Sequence, residues 1–260
     1  MKNNKLKISE INKYLILIIS LIFLYLFYLS IPTLYDKDSL QKDLSLKLSK
    51  EFQLNLSLSP SIKYLIMPSP HFEIRDIKLY KDIEGSSREL AQIKKLKIFI
   101  SQKNFFNNKN ISIKKIIISN SNFVYRKDDL DFYNNYISKK LTDKSLEIKK
   151  SKFFYKSNDD ETISIISIDD LNLAYEEEKK INKMKISGDV FNIPFDIDFK
   201  KEFNDKAISN FFFRFKKINL NINNISNKIN KTYYAENLLS FGNTKISTKY
   251  EIKDDQAKFI

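Results

Sequence analysis

The sequence contains no cysteine and no tryptophan, and its 260 residues include one histidine and three glycines. Without cysteine there is no disulfide scaffold, thiol nucleophile, iron–sulfur cluster or cysteine-ligated zinc. His71 has no second imidazole with which to complete a histidine-based metal site. Gly85, Gly188 and Gly242 are too scattered to form a phosphate-binding loop. These absences exclude most familiar enzyme chemistry, and we predict no metal and no cofactor.

The acidic clusters do not change this expectation. Asp159-Asp160-Glu161 and Asp169-Asp170 match no calcium-loop spacing, and they fall where turns are expected. The serines are numerous, but none lies in the sequence context of a nucleophile elbow. The chain is therefore predicted not to be an enzyme, and no catalytic residue is assigned.

Arginine is also scarce. The chain carries 45 basic and 32 acidic residues, a formal net charge of +13, but its arginines are only Arg75, Arg88, Arg126 and Arg214. Proteins that bind nucleic acid favour the planar guanidinium fork for base and phosphate contacts. We therefore predict no nucleic-acid partner. The dispersed lysines indicate a solvated face, with weak attraction to anionic lipid surfaces as the functional alternative.

One long apolar run, Tyr14–Ile31, contains no charged residue. At about 1.5 Å per residue it spans about 27 Å, close to the hydrocarbon core of a bilayer. Residues 1–13 form a basic tail with four lysines against the single Glu10. The positive-inside rule then predicts a cytoplasmic tail, a single-pass anchor over 14–31, and residues 32–260 on the far side. A cleaved signal peptide is the alternative, but no small-x-small cleavage site follows the run.

After the anchor, apolar residues at four-residue spacing predict an amphipathic helix over residues 36–52. Beyond it the apolar period changes from four to two, which is typical of β-strands. A parity break between Ile74 and Ile77 indicates a β-bulge. Short helices are expected at Leu130–Leu141 and around Ile225–Leu239. Because strands and helices do not alternate regularly, we predict a mainly β (α+β) body with an extended, twisted, largely antiparallel sheet.

The clearest alternation lies in two aromatic-rich segments in the second half of the chain. The residues of one parity are predicted to share an apolar face, and they are Phe191, Ile193, Phe195, Ile197, Phe199, Phe211, Phe213 and Phe215. Pro194 lies on the opposite parity and predicts a sheet edge or a bulge, because proline has no N–H to donate. Periodicity alone leaves both a buried core and a ligand-facing groove open.

Two segments of the chain echo each other. Ile113–Lys127 reads IKKIIISNSNFVYRK, and Leu146–Ser157 reads LEIKKSKFFYKS. Both combine a lysine pair with an ending of aromatic, any residue, tyrosine and a basic residue. The echo indicates a sheet extended by like units, while a shared strand composition is the alternative explanation.

The order of elements along roughly residues 1–130 is itself a feature. The anchor and the helix precede a set of short motifs, which are Met67-Pro68-Ser69-Pro70, the Phe-x-Ile-x-Asp-x-x-Leu strand from Phe72 to Leu79, Leu90-Ala91-Gln92-Ile93, and the strand Ile111–Tyr125. This order resembles the N-terminal region of the AsmA family of Gram-negative envelope proteins. The chain departs from the family at Phe52-Gln53, where members often have Thr–Gly or Ser–Gly. Full-length members are longer, so both a short member and a fragment ending at Ile260 are compatible with the pattern.

The resemblance implies an inner-membrane-anchored periplasmic protein whose sheet forms a long groove with an apolar lining. Members of the family are associated with phospholipid transport towards the outer membrane and with outer-membrane biogenesis. On this basis we expect a non-enzymatic protein that binds or conducts phospholipid, with the eight aromatic and aliphatic residues above as its lining. Each acyl CH₂ buried there contributes about 0.8 kcal/mol.

A second hypothesis is an anchored scaffold or interaction module with a dry, filled core. Such a protein would affect the assembly or targeting of envelope protein partners through exposed strand edges. Pro194 and the many lysines are a deterrent to edge pairing. A body without cavities and with both sheet faces packed would favour this hypothesis.

Overall fold

The computed structural model describes residues 3–57, 61–83, 86–103, 105–106, 111–157, 159–203, 207–229, 232–253 and 256–259. Its helices are α1 (Asn3–Ser30), α2 (Lys37–Phe52) and α3 (Leu130–Ser138), with short 3₁₀ helices at Ile31–Leu34 and Lys127–Asp129. Its strands are β1 (Asn55–Ser57), β2 (Ile62–Leu65), β3 (His71–Ile83), β4 (Ser86–Ile100), β5 (Ile113–Ser119), β6 (Asn122–Arg126), β7 (Ser145–Lys156), β8 (Thr162–Glu176), β9 (Ile181–Val190), β10 (Ile193–Glu202), β11 (Ser209–Phe215), β12 (Leu220–Ile229), β13 (Thr232–Phe241), β14 (Thr244–Lys253) and β15 (Gln256–Phe259).

Across the described ranges the strands form one long, twisted sheet. Its order is β1-β3-β4-β5-β7 and then β8 to β15 in sequence, with β2 beside β3 and β6 between β4 and β7. The pairings are antiparallel except that β5 and β6 run parallel to β7. α3 lies in the connection between β6 and β7, which is the kind of crossover that parallel strands require. The prediction of a mainly β, largely antiparallel sheet is confirmed, and the parallel crossover is an addition to it.

The two echoing segments are these parallel neighbours. In the pairing of β6 with β7, Phe123 lies opposite Phe153 and Tyr125 lies opposite Tyr155. The two phenylalanine rings stack with their centroids 4.5 Å apart. Like residues therefore meet like residues, and the echo in the sequence corresponds to a repeated unit in the sheet.

The amphipathic helix expected over residues 36–52 is α2. Asp36 caps it by accepting a 2.9 Å hydrogen bond from the backbone N–H of Ser39. Its buried face consists of Leu40, Leu44, Leu48 and Phe52. Gln53 ends the helix with φ of 54°, a left-handed conformation that glycine adopts most readily.

Two expectations about local structure are wrong. The helix expected around Ile225–Leu239 is absent from the described residues of that segment, because 225–229 belong to β12 and 232–239 to β13, two antiparallel strands between β11 and β14. Pairing on both sides decides the conformation of these strands, including the asparagine-rich β12, over their intrinsic preference. Pro194 does not mark a sheet edge either, because β10 pairs with β9 and with β11.

Pro194 is accommodated by its position at the start of β10. The β9–β10 hairpin closes between Val190 and Ile193 through two turn residues, so Pro194 occupies the next, non-hydrogen-bonded site opposite Asp189. Its nitrogen therefore points away from β9. The pairing of β10 with β11 begins only at Phe195, so no neighbouring carbonyl loses a donor there.

A line of backbone irregularities crosses the first half of the sheet. Asp76, Asn120 and Lys150 have left-handed φ values of 54°, 54° and 48°. Asp169 is the extra residue at a register shift in the pairing of β8 with β9. The pairing registers on either side align these four residues in one row across the strands. Lys94 of β4 lies in the same row, between Asp76 and Asn120. We call this row the bend line.

The bend line explains the parity break between Ile74 and Ile77. Both side chains are buried because the left-handed Asp76 between them reverses the inward parity of β3. A parity break is therefore present, but it is produced by a left-handed residue. The register shift between β3 and β4 lies further along, between Leu79 and Tyr80.

The long apolar run is part of α1. Among the described residues, one segment, Asn12–Leu34, is long and apolar enough to cross a membrane by length and composition. Its side chains are exposed from Asn12 to Phe27, while Leu29 and Pro32 are buried. It includes the whole of the predicted anchor over 14–31.

Replacing Lys150 with glycine should stabilise the protein, because a left-handed conformation costs an L-residue about 1 kcal/mol that glycine avoids. We expect the free energy of unfolding to rise by about 0.5–1 kcal/mol, measured by urea denaturation of the full chain in mild detergent. Lys152→Gly, two residues along the same strand, is the matched control and should be destabilising. Equal destabilisation by both variants would contradict the bend line.

Candidate functional site

One face of the sheet carries an unbroken row of apolar side chains across twelve strands. Residues directly opposite each other in neighbouring strands lie on the same face, so the pairing registers define the row. Its members are Ile62, Ile74, Leu96, Ile118, Ile148, Leu171, Ile186, Ile197, Phe213, Ile222, Leu239 and Ile246. We call the surface around this row the apolar face.

The burial of the apolar face changes along the sheet. Near its N-terminal end, Ile74 and Leu96 belong to the same buried core as the leucines of α2, and both are fully buried. From β9 onwards the same row is half-buried, as at Ile186 and Phe213, and Ile246 on β14 is 51% exposed. The apolar face thus passes from a packed core to a surface that reaches solvent.

A cavity of about 340 Å³ lies where the packed part gives way to the open part. α3 contributes Tyr133, Tyr136 and Ile137 to its lining, and the sheet contributes apolar residues of β5 to β10 such as Phe153 and Ile186. The volume is at the lower end of the range of roughly 300–1,000 Å³ typical of small-molecule sites. Its lining consists of aliphatic, aromatic and methionine side chains, so it suits an apolar ligand.

The N-terminal end of α3 is fixed over this cavity by a buried carboxylate. Asp129 is fully buried and forms an ion pair with the guanidinium of Arg88 on β4. The backbone N–H of Arg126 donates to the same carboxylate at 3.0 Å. A buried charge needs such partners, and together they tie the start of α3 to the sheet.

The C-terminal end of α3 is fixed by a buried amide. Asn182 on β9 donates from Nδ2 to the carbonyl oxygens of Ile137 and Lys139, at 3.1 and 2.7 Å. Its Oδ1 accepts the N–H of Leu141 at 3.0 Å. Asn182 is 1% exposed, and its three hydrogen bonds satisfy backbone groups at the end of the helix.

The tyrosines of α3 leave the cavity uncharged. Burial raises the pKa of Tyr133 to about 12, and burial raises the pKa of Tyr136 as well. Both phenols therefore stay neutral at physiological pH. Tyr136 also donates to the carbonyl oxygen of Phe52 at 2.9 Å, which joins α3 to the end of α2.

Seven of the eight residues predicted to share an apolar face do so on the neighbouring strands β10 and β11. Phe195 pairs with Phe215, Ile197 with Phe213, and Phe199 with Phe211. Ile193 lies on the same parity at the start of β10. The ring centroids of Phe213 and Phe215 are 4.6 Å apart in an edge-to-face contact. Phe195 and Ile197 also line the cavity, so the predicted cluster meets it at one end.

The eighth residue, Phe191, was wrongly assigned to the strand. Phe191 and Asn192 form the two-residue turn between β9 and β10, with φ values of 52° and 60°. The side chain of Phe191 is 74% exposed. A two-residue turn keeps the parity of the flanking strand, so alternation alone could not distinguish Phe191 from a strand residue.

The opposite face of the same strands is polar. Asp196 on β10 forms ion pairs with Arg214 and Lys216 at 3.0 and 2.8 Å. The hydrogen bond from Lys216 is the main cause that lowers the pKa of the Asp196 carboxyl. Further ion pairs join Asp198 to Lys185 and Lys200. Phe212 also lies on this face, opposite Asp198. The ion pairs distinguish this face from the apolar face on the other side of the sheet.

A polar ladder interrupts the apolar face near β12 to β14. Asn224, Asn237 and Thr248 lie opposite one another, in the row adjacent to Phe213 and Leu239. Asn224 donates to Asn237 at 2.6 Å, and Asn237 donates to Thr248 at 3.3 Å. The amides therefore satisfy one another, and the central apolar row continues past them to Ile246.

The sequence patterns did not predict the cavity or the two buried polar residues that hold α3 over it. Asp129 and Asn182 are single polar residues in segments with no motif. The groups that tie them to distant segments, Arg88 for Asp129 and Ile137 for Asn182, lie 41 and 45 residues away along the chain. The signal that was present is the FVYR and FFYK echo, since Phe123, Tyr125, Phe153 and Tyr155 all line the cavity. No family model matches the sequence, and no curated protein matches it.

Asn182→Ala should loosen α3, because it removes three hydrogen bonds and leaves buried backbone groups without partners. We expect a loss of about 2–3 kcal/mol in the free energy of unfolding and faster amide exchange at Ile137 to Leu141. Asn172→Ala, on the exposed surface of the neighbouring strand β8, is the matched control, with a change within about 0.5 kcal/mol. Equal losses in both variants would show that Asn182 does not hold the helix.

Proposed function

We propose that the protein is a non-enzymatic, membrane-anchored component of a Gram-negative envelope that binds or conducts phospholipid. In this proposal α1 crosses the inner membrane, the body lies in the periplasm, and the protein takes part in outer-membrane biogenesis as AsmA-like proteins do. The observation that carries the proposal is the apolar row that runs from the packed core to a half-exposed surface. Acyl chains that lie along the apolar face, as in a groove, would remove its open part from water.

The dimensions of the open part support an acyl ligand. From Ile186 on β9 to Ile246 on β14 the row crosses five strand spacings, roughly 24 Å at about 4.8 Å each. The hydrocarbon core of a bilayer is about 30 Å thick, so an acyl chain of one leaflet extends about 15 Å. The open part of the row is therefore long enough for a whole acyl chain. The cavity under α3 adds a deeper pocket at one end of the row.

The chemistry of the surface supports the same ligand. The cavity has neutral phenols and hydrocarbon side chains, and the adjoining row offers Ile197, Phe213 and Leu239. A charged ligand would lose its hydration on this surface without gaining partners. Each acyl CH₂ placed there would gain about 0.8 kcal/mol. Lipid is thus the abundant envelope molecule whose chemistry fits.

The proposed orientation follows from charge. The basic tail before the anchor favours a cytoplasmic N-terminus under the positive-inside rule. The absence of cysteine from the whole chain means that folding in an oxidising compartment needs no disulfide chemistry. Both features are compatible with a periplasmic body.

The scaffold hypothesis is less well supported. It expected a filled, dry core with both faces of the sheet packed, whereas the structure has a cavity of about 340 Å³ and a half-exposed apolar face. A scaffold would need an apolar surface of an envelope protein to cover that face. The experiment below distinguishes the two occupants.

Phe212 and Phe213 allow a matched test, because successive residues of β11 lie on opposite faces of the sheet. A benzophenone amino acid placed at 213 and activated by light in intact envelopes should form adducts with phospholipid. The same probe at 212 should give lipid adducts near background. Adducts are detected by labelled phosphate and mass spectrometry.

Two outcomes would contradict the lipid proposal. Protein adducts without lipid adducts at 213 would favour the scaffold. Equal lipid labelling at 212 and 213 would show that the apolar face does not select lipid over the polar face.

A further inference from the structure

A 3₁₀ helix and two loops near the end of α1 expose large apolar side chains to solvent. Leu34 of the 3₁₀ helix is 81% exposed, Met67 between β2 and β3 is 76% exposed, and Phe106 after β4 is 81% exposed. Isolated apolar residues are ordinary on a protein surface, but three at one end of the body are a feature that needs a partner. We call Leu34, Met67 and Phe106 the rim.

The loop that carries Phe106 is fastened to α1 inside the apolar run. Tyr25 donates from its hydroxyl to Oε1 of Gln102 at 3.2 Å, and Tyr28 donates to the backbone carbonyl of Gln102. The ring of Tyr28 stacks on Phe105 at 5.4 Å and lies 5.7 Å from Phe106. This loop therefore lies beside the last turns of α1.

The loop that carries Met67 is fastened to the same place. Tyr64 at the end of β2 donates to the carbonyl oxygen of Leu29 in α1 at 2.6 Å. The N–H of Ile100 donates to the carbonyl oxygen of Pro70 at 3.1 Å, which places the two loops side by side. The rim is thus held at a defined level along α1 by contacts from two separate loops.

That level corresponds to the edge of a bilayer. Tyr28 lies three residues before Ile31, the end of the apolar run, which is roughly 4.5 Å along the helix axis. Residues packed beside Tyr28 must lie at the same depth whenever α1 spans a membrane. This is the interfacial zone in which aromatic side chains concentrate, and the exposed Lys103 in the same loop can extend its ammonium group towards lipid headgroups.

We propose that the rim is seated in the headgroup region of the membrane that α1 crosses, so that the body docks on the bilayer surface. The occupant of this apolar surface is lipid, because the loops are fixed to a helix whose own exposed surface is apolar at that depth. The inference rests on one part of the proposed function, the insertion of α1. Docking would fix the orientation of the sheet relative to the membrane, which a flexible tether would not.

The absence of tryptophan makes a direct depth measurement available. Single-tryptophan variants of the full chain are reconstituted in phosphatidylcholine vesicles with lipids brominated at shallow or deep positions. Phe106→Trp and Met67→Trp should emit at blue-shifted wavelengths and lose most of their fluorescence to the shallow bromines. Leu21→Trp reports the centre of α1 and should be quenched by the deep bromines.

Phe191→Trp is the matched negative control, because it replaces an exposed phenylalanine in the β9–β10 turn, at the strand ends opposite those that carry Met67 and Phe106. It should emit as in water and resist quenching. If tryptophan at 106 and 67 behaves like tryptophan at 191 while tryptophan at 21 is quenched, the anchor stands and the rim proposal is wrong. If tryptophan at 21 is itself unquenched, the insertion of α1 is wrong and the rim proposal falls with it.

Discussion

The structure depends on one constraint, which is that one row of a single sheet face stays apolar across eleven consecutive pairings and must be kept from water. At the N-terminal end the chain meets this constraint itself, because the leucines of α2 and the apolar residues of β3 to β5 form one buried core. α3 covers the next stretch only partly and leaves a cavity below it. From β9 onwards the described residues cover the apolar row only partly, and its exposure reaches 51% at Ile246. In our proposal, phospholipid covers the part of the apolar face that α2 and α3 leave exposed.

The bend line and the hydrogen bonds that hold α3 both help to keep the apolar row away from water. At Asp76, Asn120 and Lys150 the left-handed backbone reverses the inward parity, so that apolar side chains remain on one side through the twist of the sheet. The buried polar side chains of Asp129 and Asn182 then hold α3 at both of its ends, above the cavity. These two buried polar residues position backbone, and the cavity between them is lined by hydrocarbon and phenol side chains.

Much of the fold could be predicted because its local patterns are strong. The four-residue spacing of α2 begins at a capping aspartate, and the alternation of β10 and β11 predicts their shared face from Ile193 to Phe215. The failures have physical causes. Phe191 keeps strand parity although it forms a turn. Residues 225–229 and 232–239 have a weak strand preference of their own, and pairing with β11 and β14 on either side makes them strands. The cavity depends on pairings between distant segments, such as Asn182 with Ile137, which no local pattern encodes.

The central claim is that the apolar face binds lipid, and the most direct test is the composition of the purified body. Residues 33–260 are exported, isolated from an envelope fraction without detergent, and extracted for lipid mass spectrometry. The account predicts phospholipid in stoichiometric amount with the protein. A monodisperse body free of lipid would contradict it, because the half-exposed face would then be stable in water or covered by protein alone.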